Sequence, residues 1–119
     1  MLLALLLHLL ICLCVTVTAE GLVMRLLSRS RRFVYYSLLV NLLTNPALNV
    51  LLIVAASLLD ASAYIPVLIT LELLAIAVEA LVYRKLCDYS TGKAFAISTL
   101  LNAVSFALGL AFFAAFPSL

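Results

Sequence analysis

One stretch of the chain, residues 64–82, reads YIPVLITLELLAIAVEALV. It is long and apolar enough to cross a bilayer as one helix, for which about 20 residues suffice. Its two charged residues, Glu72 and Glu79, are seven positions apart, or almost two helical turns, so both carboxyl groups lie on one side. Acids are costly at membrane depth and are found where they face protein, water or a bound ion. The stretch therefore predicts a transmembrane helix with one chemically important face.

The composition of the whole chain agrees with a membrane environment. Of its 119 residues, 68% are hydrophobic and 10% are charged, whereas a soluble domain is about half apolar. A chain of this size cannot bury so much apolar surface in its own interior, so the lipid bilayer is expected to be its solvent. The net charge of +2 comes from basic residues between the apolar runs and not from a basic stripe. We therefore expect no nucleic-acid partner.

Four apolar runs predict the fold. They place helices over residues 2–24, 33–59, 64–84 and 94–116, separated by short breaks. The predicted fold class is an all-α integral membrane protein, a four-transmembrane-helix bundle with short loops that forms one domain over residues 1–119. The pattern gives no sign of an internal repeat or of a second domain.

The basic residues predict the orientation in the membrane. All seven Lys and Arg residues lie in or beside the first and third breaks, at positions 25–32 and 84–93. The positive-inside rule places these breaks in the cytoplasm, so we expect both termini on the extracytoplasmic side of a bacterial inner membrane. Residues 17–19 resemble a signal-peptide cleavage site. The run before them lacks a basic start, however, and we expect it to stay as the first helix.

Polar residues inside the spans follow helical spacing and form one stripe on each helix. The candidate binding residues on these stripes are Glu20, Asn41, Thr44, Asn45, Glu72, Glu79, Ser98, Asn102 and Ser105. Their positions along the helices predict two layers. The layer nearer the cytoplasm is expected to join Glu20, Asn41, Glu79, Ser98 and Asn102. The deeper layer is expected to join Glu72, Thr44, Asn45, Ser105 and the Leu42 carbonyl, whose helical hydrogen bond Pro46 removes.

The partners of the acids are less clear from the sequence. No Lys or Arg lies at the depth of these layers, although Arg25, Arg84 and Lys85 are close enough to the interface to reach toward Glu20 and Glu79. Tyr83, one turn from Glu79, is a further candidate hydrogen-bond partner. For the Ser, Thr and Asn residues, the plainer interpretation is that they hold helices together, which is their common use in membranes.

The remaining polar side chains predict no cofactor and no disulfide. Cys12 and Cys14 point in different directions on one helix, and Cys87 is far along the chain, so all three are expected to be buried structural thiols. His8 is expected to be structural, because the chain has no second histidine to complete a metal or haem site.

Three motifs resemble those of small bacterial four-span membrane proteins of unassigned function. They are NLLTNP at residues 41–46, the Glu72/Glu79 pair followed by Val82-Tyr83-Arg84, and the ladder Ser98, Asn102, Ser105 and Gly109. This resemblance covers most of the chain and implies the fold without an activity. Residues 72–80 are also similar to the active-site helix of bacterial membrane diacylglycerol kinase, which implies phosphoryl transfer to a lipid. Ala75 stands where that family has an asparagine, and its surface amphipathic helix has no counterpart here.

Three functions are compatible with the sequence. The one we favour is a transporter or channel-like protein that binds a cation, a proton or a cationic solute at the Glu/Asn cluster. The second is a non-catalytic membrane subunit whose polar stripes dock the helices of a partner. The third is a lipid-modifying intramembrane enzyme with paired carboxylates as acid and base. The sequence contains neither a phosphate-binding glycine loop nor an HExxH motif that would support this function. Because one four-helix unit leaves little room for a pathway, we also expect a homo-oligomer.

Overall fold

The computed structural model describes residues 2–117, which form four long α-helices joined by short connections. The helices are α1 (Leu2–Ser28), α2 (Arg31–Leu58), α3 (Tyr64–Leu86) and α4 (Thr91–Ala115). Each helix is long and apolar enough to span a membrane. The predicted four-helix transmembrane bundle is confirmed.

A tight turn at Arg29 and Ser30 joins α1 to α2. The first helix continues past its predicted end to Ser28, whose hydroxyl donates a 2.7 Å hydrogen bond to the Met24 carbonyl. Arg29 then has a φ of 54°, a left-handed conformation that ends helices by turning the chain aside. The Ser30 hydroxyl accepts a hydrogen bond from the Phe33 amide and so caps the start of α2.

The connection between α3 and α4 repeats this geometry. The amide of Cys87, the residue after α3, still donates to a carbonyl one turn earlier, at Tyr83. Asp88 has a φ of 54°, the same as at Arg29, and Ser90 caps α4 by accepting from the Lys93 amide. The two hairpins α1–α2 and α3–α4 are therefore closed by equivalent turns.

The middle connection is short, as the sequence predicts, and Pro46 does not interrupt α2. A single 3₁₀ turn at Ala61–Ala63 links α2 to α3. α2 continues as a helix through Pro46. Within residues 2–117 no side-chain donor bonds the Leu42 carbonyl, and the Leu42 side chain is exposed. The expected contribution of this carbonyl to a polar layer is therefore wrong.

The four helices stand at the corners of a square. α1 packs against α2 and α4, and α3 packs against the same two helices, so α1 and α3 occupy diagonal corners. The bundle measures 41 × 25 × 22 Å, and its long dimension suits a bilayer. We call the end with the two basic turns the basic end. The opposite end, where the α2–α3 connection and the start of α1 lie, is the terminal end.

The helices are packed tightly only toward the basic end. A hydrophobic core fills the space there, formed by Met24, Val40, Ala80, Tyr83, Cys87, Ala94, Ile97 and Leu101. The fully buried polar residues lie beside this core, whereas most residues near the terminal end are exposed or half-buried. The bundle is therefore closed at the basic end and open toward the other.

The two hairpins are repeats of one sequence pattern. Residues 20–27 read EGLVMRLL and residues 79–86 read EALVYRKL, which are identical at five of eight positions. Residues 37–44 read SLLVNLLT and residues 98–105 read STLLNAVS, which share a serine, a leucine and an asparagine and end in a hydroxyl residue. Because both turns lie at the same end of the bundle, the repeats are related by a pseudo-two-fold axis that runs along it.

The expectation that the chain has no repeat is therefore wrong. The repeat is hard to see in the sequence because the two hairpins differ in length. Glu20 and Asn41 are 21 residues apart, whereas Glu79 and Asn102 are 23 apart. A single shift of the sequence against itself thus aligns either the first helices of the hairpins or the second helices, but not both.

The orientation is tested by labelling introduced cysteines with a membrane-impermeant maleimide. In spheroplasts, Ser62→Cys at the terminal end should react at once, and Lys85→Cys at the basic end should react only after permeabilisation, because basic turns stay in the cytoplasm. Both positions are exposed. Native Cys87 should not interfere, since its burial raises its pKa to about 11 and the thiolate is the reactive form. The reverse labelling pattern would contradict the orientation.

Candidate functional site

Glu20 of α1 lies in the interior of the bundle and is 0% exposed. Its carboxyl group is 2.7 Å from Asn41 Nδ2 on α2 and 2.9 Å from Ser105 Oγ on α4. The sequence places Glu20 in the layer nearer the cytoplasm together with Asn41, and the structure brings the two side chains into contact. Helices α2 and α4 surround the carboxyl group, and α1 continues beyond it to Ser28.

Glu79 of α3 is held in the same way and is 1% exposed. Its carboxyl group is 2.5 Å from Asn102 Nδ2 on α4 and 3.0 Å from Thr44 Oγ1 on α2. All four partners of the two acids are neutral amide or hydroxyl groups. The acids thus connect the diagonal helices α1 and α3 to both helices between them.

These contacts follow the pseudo-two-fold axis. Each glutamate bonds the asparagine of its own hairpin and the hydroxyl residue of the other hairpin. The six residues form what we call the carboxyl cluster: Glu20, Asn41, Thr44, Glu79, Asn102 and Ser105. The cluster is the point at which the two repeats interlock in the middle of the bundle.

The asparagines are oriented by their own helices. Asn41 Nδ2 also donates to the Ser37 carbonyl at 2.9 Å, and Asn102 Nδ2 donates to the Ser98 carbonyl at 3.0 Å. Each amide therefore presents its NH₂ group to one backbone carbonyl and one carboxyl group. This arrangement fixes the direction of the donor that reaches the acid.

Each hydroxyl of the cluster faces two acceptors. Thr44 Oγ1 is 3.0 Å from the Val40 carbonyl and 3.0 Å from Glu79 Oε1. Ser105 Oγ is 3.2 Å from the Asn102 carbonyl and 2.9 Å from Glu20 Oε1. Since a hydroxyl has one proton, it cannot donate a full hydrogen bond to both oxygens.

Within residues 2–117, three buried polar atoms in or next to the cluster have no hydrogen-bond partner: Ser37 Oγ, Asn41 Oδ1 and Tyr83 OH. The expected hydrogen bond between Tyr83 and Glu79 is therefore wrong. Tyr83 is fully buried in the hydrophobic core, where its ring packs beneath the cluster. Ser37 is not among the candidate binding residues predicted from the sequence, although it lies one turn from Asn41 on the same stripe.

The structure brings together four of the five residues of the layer predicted nearer the cytoplasm, Glu20, Asn41, Glu79 and Asn102. The division into two layers is wrong for three other residues. Thr44 and Ser105, assigned to the deeper layer, instead bond the acids of the carboxyl cluster. Ser98, assigned to the layer nearer the cytoplasm, donates to the Ile76 carbonyl and to neither acid. The error arises because depths counted along separate helices ignore how far each helix extends into its turn.

Glu72 and Asn45 are the predicted site residues that lie outside the cluster. Asn45 Nδ2 donates to Thr16 Oγ1 at 2.9 Å, and Asn49 in turn donates to the Asn45 carbonyl. Glu72 is half-buried, and within residues 2–117 its carboxyl group has neither a hydrogen bond nor an ion pair. The acid that the sequence places at the centre of the site is thus the one without a partner.

No basic side chain reaches the acids in the part of the chain that the structure describes. Arg25 turns away from Glu20, and its guanidinium group donates to the Arg29 carbonyl at 2.6 Å, in the turn. Arg84 and Lys85, in the last turn of α3, are exposed at the surface. The expectation that these residues approach the acids is wrong, because the hydrophobic core separates the turns from the cluster.

A cavity of about 770 Å³ begins at the carboxyl cluster and runs to the terminal end. Its floor includes Asn41, Thr44, Glu79, Asn102 and Ser105, and its far lining includes Tyr64 at the start of α3 and Ala114 near the end of α4. It does not continue past the cluster into the core at the basic end. A single chain thus forms a sizeable cavity that is partly open, so the argument that one chain leaves little room for a pathway does not hold. The homo-oligomer stays a prediction.

The predictions for the histidine and the three cysteines are only partly met by the structure. His8 lines the cavity, with its ring centroid 5.0 Å from that of Phe113 and its Nε2 atom 3.5 Å from Cys12 Sγ. Cys14 is exposed and Cys12 half-buried, so the expectation of three buried thiols is confirmed for Cys87 alone. Among residues 2–117, no group of three or more His, Cys, Asp or Glu residues is placed to hold a metal ion.

Two matched substitutions test the interlocking of the repeats. Thr44→Val and Ser105→Ala each remove one hydroxyl from the acid of the other hairpin. Each should lower the free energy of unfolding by about 1 kcal/mol, as interhelical hydrogen bonds in membranes do. Ser57→Ala is the control, since Ser57 is exposed and bonds only its own helix. The measurement is reversible unfolding in mixed micelles, and a large effect at one of the two positions only would contradict the pseudo-symmetry.

The chain was compared with known protein families, curated proteins and solved structures. No family model, no curated protein and no solved structure matches it. The case for a function therefore rests on the carboxyl cluster and the cavity.

Proposed function

We propose that the protein is a membrane transporter that binds a proton at the carboxyl cluster and exchanges it for a cation that enters through the cavity. The observation that carries this proposal is the shared hydroxyl at each acid. A hydroxyl between a backbone carbonyl and a carboxyl oxygen needs a second proton if both contacts are hydrogen bonds. A proton on the carboxyl group supplies it.

The resulting chain of hydrogen bonds is fully satisfied. With a proton on Glu79, its carboxyl O–H donates to Thr44 Oγ1, and the threonine hydroxyl donates to the Val40 carbonyl. With a proton on Glu20, the same chain runs through Ser105 to the Asn102 carbonyl. Loss of the proton removes one hydrogen bond at each acid, so the arrangement favours the protonated state of the cluster.

The charge balance supports the same proposal. A carboxylate held away from water is costly unless an opposite charge accompanies it, and no Lys or Arg side chain contacts Glu20 or Glu79 in the described chain. Protons and bound cations are then the species able to neutralise the pair. The additional oxygens near the cluster, among them the unpartnered Asn41 Oδ1, are ligands of hard cations and not of anions.

The access to the cluster supports transport in preference to a docking role. The cavity connects the cluster to the terminal end, while the hydrophobic core blocks the basic end. A site that is open to one side is one of the two states that alternating access requires. The polar stripes of all four helices, in contrast, bond one another inside the bundle and leave few donors on the outer surface for the helices of a partner.

Substitution of the acids tests the proposal. Glu20→Gln and Glu79→Gln each keep the size of the side chain but cannot bind and release a proton. In proteoliposomes with an imposed proton gradient, a trapped pH indicator should report cation-dependent proton flux in the wild type. Each variant should reduce that flux by about tenfold or more, the range expected when a hydrogen-bonded charge is lost.

The control is Asp60→Asn, which removes an exposed acid in the α2–α3 connection and should leave the flux unchanged. Inward gradients of Na⁺, K⁺ and benzyltrimethylammonium are the cations to be tried. Wild-type flux no greater than that of empty liposomes with all three cations would overturn the proposal. Unchanged flux in both glutamine variants, after circular dichroism has shown that they fold, would overturn it as well.

A further inference from the structure

The size of the cavity sets it apart from a site for a bare ion. A dehydrated metal ion needs only a few ligands at about 2–2.6 Å, and one water molecule takes about 30 Å³ of liquid. A volume of about 770 Å³ instead lies in the range of pockets that hold small organic molecules, roughly 300–1,000 Å³. The cavity therefore has room for a small organic molecule.

The walls of the cavity differ in polarity. The α2 and α3 walls carry Asn45, Asn49 and Glu72 among apolar side chains, whereas α4 presents Phe106, Leu110 and Phe113. None of the Lys and Arg residues that the structure describes lines the cavity. A molecule that fills the space thus meets one carboxyl group beyond the floor, in a lining that is otherwise largely apolar, with aromatic rings on the α4 side.

The internal repeat shows that this polarity is a departure from the shared pattern. Shifting the repeats onto each other matches Glu72 with Leu13, Asn45 with Phe106, and Asn49 with Leu110. The carboxyl cluster has the same residue types in both repeats, but these three cavity positions are polar in one repeat and apolar in the other. The two-sided cavity is therefore not a by-product of the duplicated fold.

Glu72 is the acidic residue in the lining of the cavity outside the carboxyl cluster, and its carboxyl group is free to bind a ligand. Its carboxyl group is half-buried, lines the cavity and has no partner among the described residues. It lies two turns, or about 10 Å along α3, from Glu79. One small ion cannot contact both acids, so Glu72 and the carboxyl cluster are separate binding positions in one cavity.

We propose that the cavity binds an amphipathic organic ammonium ion, with its charged nitrogen at Glu72 and its apolar body against Phe106, Leu110 and Phe113. This inference rests on the proposed function and names the class of cation that is exchanged for the proton. A neutral lipid tail would leave the Glu72 carboxyl group unpaired in the cavity. An inorganic ion would leave most of the volume and the aromatic wall unused.

Equilibrium binding to the purified protein in lipid nanodiscs tests the inference, with radiolabelled benzyltrimethylammonium as the probe. The wild type should bind it saturably, and neopentylbenzene, in which carbon replaces the nitrogen, should not compete. Glu72→Gln should weaken binding by about tenfold or more, because it removes the charge that pairs with the nitrogen. Asp60→Asn is the matched control and should bind like the wild type.

A second variant probes the space and not the charge. A Cβ atom built on Gly109 meets nothing within 4 Å, and Gly109 lines the cavity, so Gly109→Leu adds volume there without a clash at the backbone. It should weaken benzyltrimethylammonium binding but leave the binding of tetramethylammonium, which is smaller, nearly unchanged. Equal weakening of both would overturn the placement of the apolar body.

The outcomes separate this inference from the proposed function. If the wild type binds the probe no better than empty nanodiscs, or if Glu72→Gln binds it as well as the wild type, the ammonium site is wrong, whatever the flux assay shows. If binding depends on Glu72 while proton flux survives in both Glu20→Gln and Glu79→Gln, the ammonium site stands and the role of the cluster is wrong. Effective competition by neopentylbenzene would show an apolar pocket without charge recognition and would also overturn the site.

Discussion

The structure depends on one constraint, which is that two acids inside the bundle must have all their hydrogen bonds supplied by protein. Glu20 and Glu79 satisfy it by reaching from diagonal helices to the two helices between them. In lipid, apolar side chains gain little by leaving one helix surface for another, so polar contacts and close packing decide which helices associate. The cluster therefore fixes the relative position of all four helices, and the hydrophobic core below it follows from that position.

The same constraint explains why the two ends of the bundle differ. Below the cluster, Ala80, Ala94 and Tyr83 allow close packing, and the interior is filled. Above it, Glu72 and Asn49, which lie in different repeats, each have an apolar residue at the equivalent position of the other repeat. The helices stay apart there, and a cavity results. Closed packing and open space are thus consequences of where the two repeats agree and where they differ.

Much of the fold could be predicted from the sequence, because four long apolar runs leave little choice in a membrane. The sequence also pointed to the residues of the cluster, since helical spacing places Asn41 with Thr44 and Asn102 with Ser105. Their pairing could not be predicted. It depends on how the four helices are placed relative to one another along the bundle, and hydropathy carries no signal for that placement.

The separation of the two proposed binding positions has a consequence for how they would influence each other. Glu72 and Glu79 are about 10 Å apart along α3. At that distance, and at an effective dielectric constant of about 20, two unit charges interact by about 1.7 kcal/mol, which is more than tenfold in affinity. In the proposed scheme, a cation at Glu72 would therefore lower the affinity of the cluster for a proton by electrostatics alone, and a proton in the cluster would lower the affinity for the cation by the same factor. The proposed exchange would then need no contact between the two ions, because each charge repels the other across the cavity.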